Sequence, residues 1–210
     1  MQCKSPDTRI YAELTSLNAG LLRILVWQDR PDAPGRPRLA PTIATQLREL
    51  THDELAFIAG TPALLAGFMA AAEGDRADRV ADSSTLANHY TPSAASTITA
   101  GAPRLPGDNW LRLTRVFTAT LLTWLWKSDQ HGELVRALCI GYGEQLPQLS
   151  VRLIESLATD AAPRLCVRFA NHPRFWPDLI SAARSGDPQL RALSRLAVIP
   201  LALADQRAAE

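Results

Sequence analysis

Two leucine-lined stretches lie one hundred residues apart: residues 21–30 read LLRILVWQDR and residues 121–130 read LLTWLWKSDQ. Each belongs to a longer segment whose apolar residues recur at spacings of three and four. The first contains Ile10, Leu14, Leu17, Leu21, Leu22, Ile24, Leu25 and Val26. The second contains Leu111, Leu113, Val116, Phe117, Leu121, Leu122, Leu125 and Trp126. That spacing is the helical one. A helix with such a stripe needs another element to cover it. Two similarly spelled helices therefore leave two readings: one helical domain with coincident periodicity, or one unit carried twice.

The punctuation between them is read from proline, glycine and capping residues. The first helix, predicted from residue 9 to 28, stops near Asp29, because Pro31, Pro34, Pro37 and Pro41 follow. Proline cannot continue a helix and biases the residue before it away from helical geometry. RPDAPGRPRLAP is thus a constrained loop that carries Arg30, Arg36 and Arg38. A short helix starts at Pro41 or Thr42 and ends at Leu47 or Leu50. Thr51 and Glu54 form a capping box for a second helix through Leu55, Ile58 and Ala59. Gly60 ends it, and Thr61 with Pro62 opens a third helix. Residues 73–109 turn rich in Ser, Thr, Gly, Pro and Asp and read as a polar linker, with a short helix around Arg76–Ala87. From Trp110 the second apolar helix runs to near Asp129 and Gly132. Short helices follow, broken at Gly141, Gly143 and Pro147. LCVRF, residues 165–169, alternates and predicts an extended piece. HPRFWPDLISAARSG reads as a turn and a helix. A final helix covers DPQLRALSRLAVIPLALADQ, with Asp187 as N-cap, Pro188 at its first position and Pro200 as a kink or stop.

Compared at their common offset, Leu21, Leu22, Leu25 and Asp29 match Leu121, Leu122, Leu125 and Asp129. Leu50-Thr51 matches Leu149-Ser150, a helix ending in Ala59 matches one ending in Ala158, and Phe68 matches Phe169. The expectation is an all-α protein of two related multi-helix units, residues 9–72 and 110–205, joined by the linker 73–109. Related units of this kind pack about a pseudo-twofold axis, as two copies of a homodimer do.

The first unit resembles the FlhD family of flagellar master transcriptional regulators. LNAGLLRILVWQDR followed by RLAPTIATQLRELTHDELAFIAGTPALLAGF carries the resemblance, at Asn18, Leu21, Leu22, Asp29, Leu39, Leu47, Leu50, Thr51, Ala59, Thr61, Leu64, Leu65 and Phe68. It covers about residues 14–70 and, more weakly, 114–170. FlhD-like chains are roughly half this length, and no match to the family's C-terminal helix-turn-helix-like region follows Phe68. The resemblance implies a helical activator subunit that works with an FlhC-like partner. That partner supplies a zinc site and much of the contact with promoter DNA. The alternative expectation is a helical adaptor or scaffold of a bacterial secretion or conjugation machine, without DNA contact.

Composition narrows the chemistry. Net charge is +1, which gives no global basic footprint for nucleic acid. The positive charge is nearly all arginine, since lysine occurs only at Lys4 and Lys127. Phosphate contacts, if made, fall to Arg30, Arg36 and Arg38 in the first loop and to Arg184, Arg191 and Arg195 near the C-terminus. Arg191 and Arg195, four apart, share a helix face; Gly186-Asp187-Pro188 separates them from Arg184. Such clusters also form ordinary solvated surface. NHPRFWPD, residues 171–178, sets Arg174, Phe175 and Trp176 between two prolines. It reads either as an aromatic and arginine anchor for a partner or as a rigid turn whose rings plug the core. Cys3, Cys139 and Cys166 form no CxxC pair and no metal spacing with the histidines. His52, Asp53 and Glu54 sit in the first turn of a helix, where acidic residues favour the positive dipole end. Gly141-Tyr142-Gly143 is too short for a phosphate loop, and no serine has a G-x-S-x-G setting. The expectation is a non-enzymatic cytoplasmic protein with no cofactor, no small-molecule substrate and no membrane span, its N-terminus being too polar for a signal peptide.

Overall fold

Both leucine-lined stretches fold as long helices. In the computed structural model, which describes residues 6–26, 39–68, 106–128 and 151–207, α1 spans Pro6–Val26 and α4 spans Pro106–Ser128. Between them α2 runs over Pro41–Arg48, α3 over His52–Ala59 and the strand β1 over Ala66–Phe68. After α4 come α5 (Val151–Ala161), a 3-10 turn at Ala162–Arg164 and the strand β2 (Leu165–Val167). Three helices close the chain: α6 (Phe175–Arg184), α7 (Pro188–Leu196) and α8 (Val198–Arg207). The fold is mostly α-helical, with one two-stranded ribbon among the described residues. None of the described helices is long and apolar enough to cross a membrane.

Local chemistry explains most boundaries. Pro41 opens α2, where its missing N–H costs nothing. The capping box at α3 is complete: Thr51 Oγ1 accepts from Glu54 N at 3.3 Å, and Glu54 Oε2 accepts from Thr51 N at 2.6 Å. Asp187 caps α7 by accepting from Gln189 N at 2.8 Å. Pro200 neither ends nor kinks a helix. The predicted final helix breaks at Ala197 instead, and Pro200 lies in the first turn of α8, where proline is tolerated. The extended LCVRF piece is β2. PALLAGF, however, is not a third helix: after Gly60 the chain bends and Ala66–Phe68 becomes β1. The reason is long-range. β1 pairs antiparallel with β2, in the register Ala66 with Val167, Gly67 with Cys166 and Phe68 with Leu165. Phe68 is therefore placed opposite Leu165. Phe169, which matched Phe68 in sequence, lies two residues beyond β2 with a left-handed φ of 59°.

α1 and α4 pack against each other. A Cβ built on Gly20 would lie 3.2 Å from the Phe117 ring, and Trp124 Nε1 donates to Glu13 Oε2 at 2.9 Å. Moving forward along α1 thus moves backward along α4, so the helices are antiparallel. The buried side chains of α1 are Leu14, Leu17, Asn18, Leu21, Leu22, Ile24 and Leu25. Those of α4 are Thr114, Phe117, Thr118, Leu121, Leu122, Trp124 and Leu125, each one hundred residues on. α1 packs on α3 and α4 packs on α5. Each fully buried leucine in this seam contributes about 2 kcal/mol relative to an exposed one. The buried apolar residues of both halves and of α6 form one continuous core.

Candidate functional site

The first half is held around one polar side chain. Asn18 is fully buried in the middle of α1. Its Nδ2 faces the carbonyls of Ala63 at 2.9 Å, Ala59 at 3.1 Å and Thr61 at 3.3 Å, and its Oδ1 accepts from Leu65 N at 2.9 Å. The two N–H groups of one carboxamide are thus shared among the Ala59, Thr61 and Ala63 carbonyls, and its oxygen takes the Leu65 N–H, where the chain leaves the helix and its backbone is buried. Thr61 adds a hydroxyl bond to the Ile58 carbonyl at 2.6 Å, and the Tyr11 hydroxyl donates to the Gly60 carbonyl. Asn18, Leu21, Leu22, Leu47, Leu50, Ala59, Thr61, Leu64, Leu65 and Phe68, which carry the resemblance in the sequence, are all buried. Position 118 in the second half holds Thr118, whose buried Oγ1 has no hydrogen-bond partner among the described residues. The Asn18 hub therefore has no counterpart there.

The residues nominated for a partner lie at the start of α6. Phe175 and Trp176 are buried, at 5% and 1% exposure. Phe175 packs on Phe169 with ring centroids 4.5 Å apart, and Trp176 meets Phe175 edge-on at 5.3 Å. These rings plug the core, which is one of the two sequence readings. Arg174 is exposed and pairs with Asp178 at 3.3 Å, one turn on. His172 closes the turn that leads in: its Nδ1 accepts from Phe175 N at 3.0 Å and from Arg174 N at 3.3 Å. The left-handed Phe169 costs roughly 1–3 kcal/mol of backbone strain, offset by its stack on Phe175 and by the Arg168 guanidinium 5.0 Å over its ring.

The arginines nominated for phosphate separate into two groups. Arg30, Arg36 and Arg38 lie outside the described residues. Arg184, Arg191 and Arg195 are engaged in the fold's own contacts. Arg184 donates to Glu49 Oε2 at 3.0 Å and ties α6 to the end of α2. Arg191 donates to the carbonyls of Ala183 at 2.6 Å and Ala182 at 3.3 Å. Arg195 donates twice to the Phe57 carbonyl, at 2.8 and 3.3 Å. Both guanidinium groups stand over the Phe57 ring, 5.3 and 4.5 Å from its centroid. Gly60 makes room for this: a Cβ there would sit 2.5 Å from Arg195 Nη2. Arg191 and Arg195 do share one face of α7, and that face points inward onto α3 and α6.

Electrostatics adds one perturbed group. Hydrogen bonds from the Thr51 backbone, and then from its side chain, hold the Glu54 carboxyl below its ordinary pKa. That is capping chemistry, as the sequence predicts, and not acid–base catalysis. Among the described residues no group of three or more His, Cys, Asp or Glu side chains is placed to hold a metal ion. The linker's last residues, 106–109, belong to α4; residues 73–105, with His89, the short helix near Arg76 and the helices expected at 133–150, lie outside the described residues. Sequence reasoning did not single out Glu13 or the outward face of α7 (Leu190, Leu193 and Leu196). The signal for that face was available as an alternation of leucine and arginine through LRALSRL, but it does not say which side faces in.

Comparison with protein families, with curated proteins and with solved structures finds no match to this chain.

Proposed function

We propose that this chain is two related units packed about an approximate twofold axis, and that it acts as an FlhD-like subunit of a transcription-regulating complex. One observation supports the reading: the two long helices run antiparallel with matching buried positions, and the two strands pair antiparallel. Ala66 faces Val167 as Phe68 faces Leu165, around the central pair Gly67 and Cys166. The same seven positions are buried in α1 and α4, and the two helices run antiparallel. In an isologous contact residue i meets j as j meets i, which is what a fused homodimer retains. Such a fused pair takes the place of an FlhD-type homodimer, and the burial of the residues that carry the resemblance supports this.

In this reading the chain organises a partner, and the FlhC-like partner holds the DNA. The engagement of Arg184, Arg191 and Arg195 with Glu49 and with backbone carbonyls favours that division of labour. The same observation favours the second reading, an adaptor without DNA contact. A promoter-fragment shift assay, run with and without the FlhC-like protein across a salt series, separates them. The regulator reading expects no shift by the chain alone and a salt-dependent shift by the pair. A stable protein complex at about 0.15 M salt without any shift supports the adaptor. A strong shift by the chain alone contradicts both.

A further inference from the structure

Two hydroxyl groups near the middle of α4 are buried without a partner. Thr114 and Thr118 are fully buried, and neither Oγ1 has a hydrogen-bond partner among the described residues. Threonine in a helix has a local alternative, the carbonyl four residues back. Thr15, Thr45 and Thr120, outside the core, take it. Thr15 Oγ1 donates to the Tyr11 carbonyl at 2.9 Å, Thr45 Oγ1 to that of Pro41 at 3.0 Å and Thr120 Oγ1 to that of Val116 at 2.9 Å. Thr114 and Thr118 do not, although burial makes an unmade bond costlier there than at the surface. Their hydroxyls are thus held off the local carbonyls, inside the core.

Whatever satisfies both groups must be small and polar. A cation asks for more oxygens than two hydroxyls, and among the described residues no group of three or more His, Cys, Asp or Glu side chains is placed to hold one. Water fits on size and on chemistry. Residues four apart share a helix face, with Cβ atoms about 5–6 Å apart. Two O–H···O bonds of about 2.8 Å, end to end, cover that gap. Each hydroxyl can donate to water or accept from it. A buried water typically makes about three hydrogen bonds to polar groups that the fold leaves unmet. The two hydroxyls supply two, and the second lone pair of a helix carbonyl can supply a third. We propose that Thr114 and Thr118 hold one buried water between them, as a fixed part of the core of the second half. Position 118 lies one hundred residues after Asn18. Where the first half uses a carboxamide, the second uses bound water.

The direct test is a crystal structure of the full-length chain at a resolution that shows ordered water. One water within hydrogen-bond distance of both Oγ1 atoms is expected. Both hydroxyls bonded to carbonyls of α4, or a side chain filling the space between them, overturns the proposal. A mutant cycle in urea adds a readout that packing alone does not move, since valine keeps the shape of threonine and removes the hydroxyl. Thr114→Val and Thr118→Val each strand the shared water, and each is expected to lower the folding equilibrium constant about 10-fold. The double variant is expected to be little worse than either single one, because the water is lost only once. Hydroxyls that are simply unpaired give the opposite result: valine at either position leaves the constant unchanged or raises it. That outcome overturns the proposal, as do two losses that add. Should a valine variant fail to fold, the crystal structure of the wild type decides alone.

Discussion

Asn18 serves four backbone groups with one side chain, and all of its partners lie 41 to 47 residues away. Leaving buried carbonyls and an N–H unpaired costs about 1–3 kcal/mol for each group. Asn18→Ala is therefore expected to lower unfolding free energy by about 3 kcal/mol or more in urea, and a loss below about 1 kcal/mol contradicts the hub. Glu54 makes a different prediction. Its pKa is lowered in the folded state, so its contribution is present above the unfolded value and is lost as pH falls through the folded one. Glu54→Gln should thus be less stable than wild type at neutral pH, and the gap should close in acid. A gap that stays constant in urea titrations from neutral pH down to pH about 3 would reject that linkage. The two residues differ in how readable they were. Thr51 and Glu54 sit within one turn, so sequence displays both partners of the box. Asn18 shows nothing locally that marks it as a hub, because its acceptors are carbonyls on a distant segment.

At the scale of elements, the same contrast recurs. Helical periodicity and capping chemistry made α1, α2, α3, α4, α6 and the start of α7 legible, and alternation made β2 legible. β1 was read as a helix, since a short apolar run after Thr61-Pro62 satisfies either period. What decides it is the Asn18 carboxamide on one side and β2, one hundred residues on, on the other. The inward aim of α7 was hidden for the same reason, as the ring that receives its arginines is Phe57. Arg195 is the clamp between α7 and α3. Arg195→Ala is expected to cost about 1.5 kcal/mol, in the range of charge-assisted bonds. Arg195→Lys should not restore it, because an ammonium cannot make the paired N–H contact while lying flat on the ring. Full rescue by lysine in denaturant unfolding would show that charge alone matters.

At the scale of the whole molecule, the proposed kinship of LLRILVWQDR and LLTWLWKSDQ rests on how the two helices and the two strands lie. Two long helices cross antiparallel at their centres, two strands pair about Gly67 and Cys166, and the buried positions of α1 and α4 coincide. The relation is not complete: Asn18 has no functional counterpart in Thr118, and α6 from the second half packs on α2 and α3 of the first. Sequence offset pairs Phe68 with Phe169, whereas in the structure Phe68 lies in β1 opposite Leu165 and Phe169 lies two residues beyond β2. The most direct test of the twofold uses a contact it demands but that was not used to infer it. If Gly20 meets Phe117, exchange across the axis requires Leu17 to meet Thr120. Nuclear Overhauser spectra of a uniformly carbon-13- and nitrogen-15-labelled chain should show cross-peaks from Leu17 to the Thr120 methyl, together with cross-strand peaks between Gly67 and Cys166. Cross-peaks between Gly20 and Phe117 with none between Leu17 and Thr120 would contradict the paired architecture.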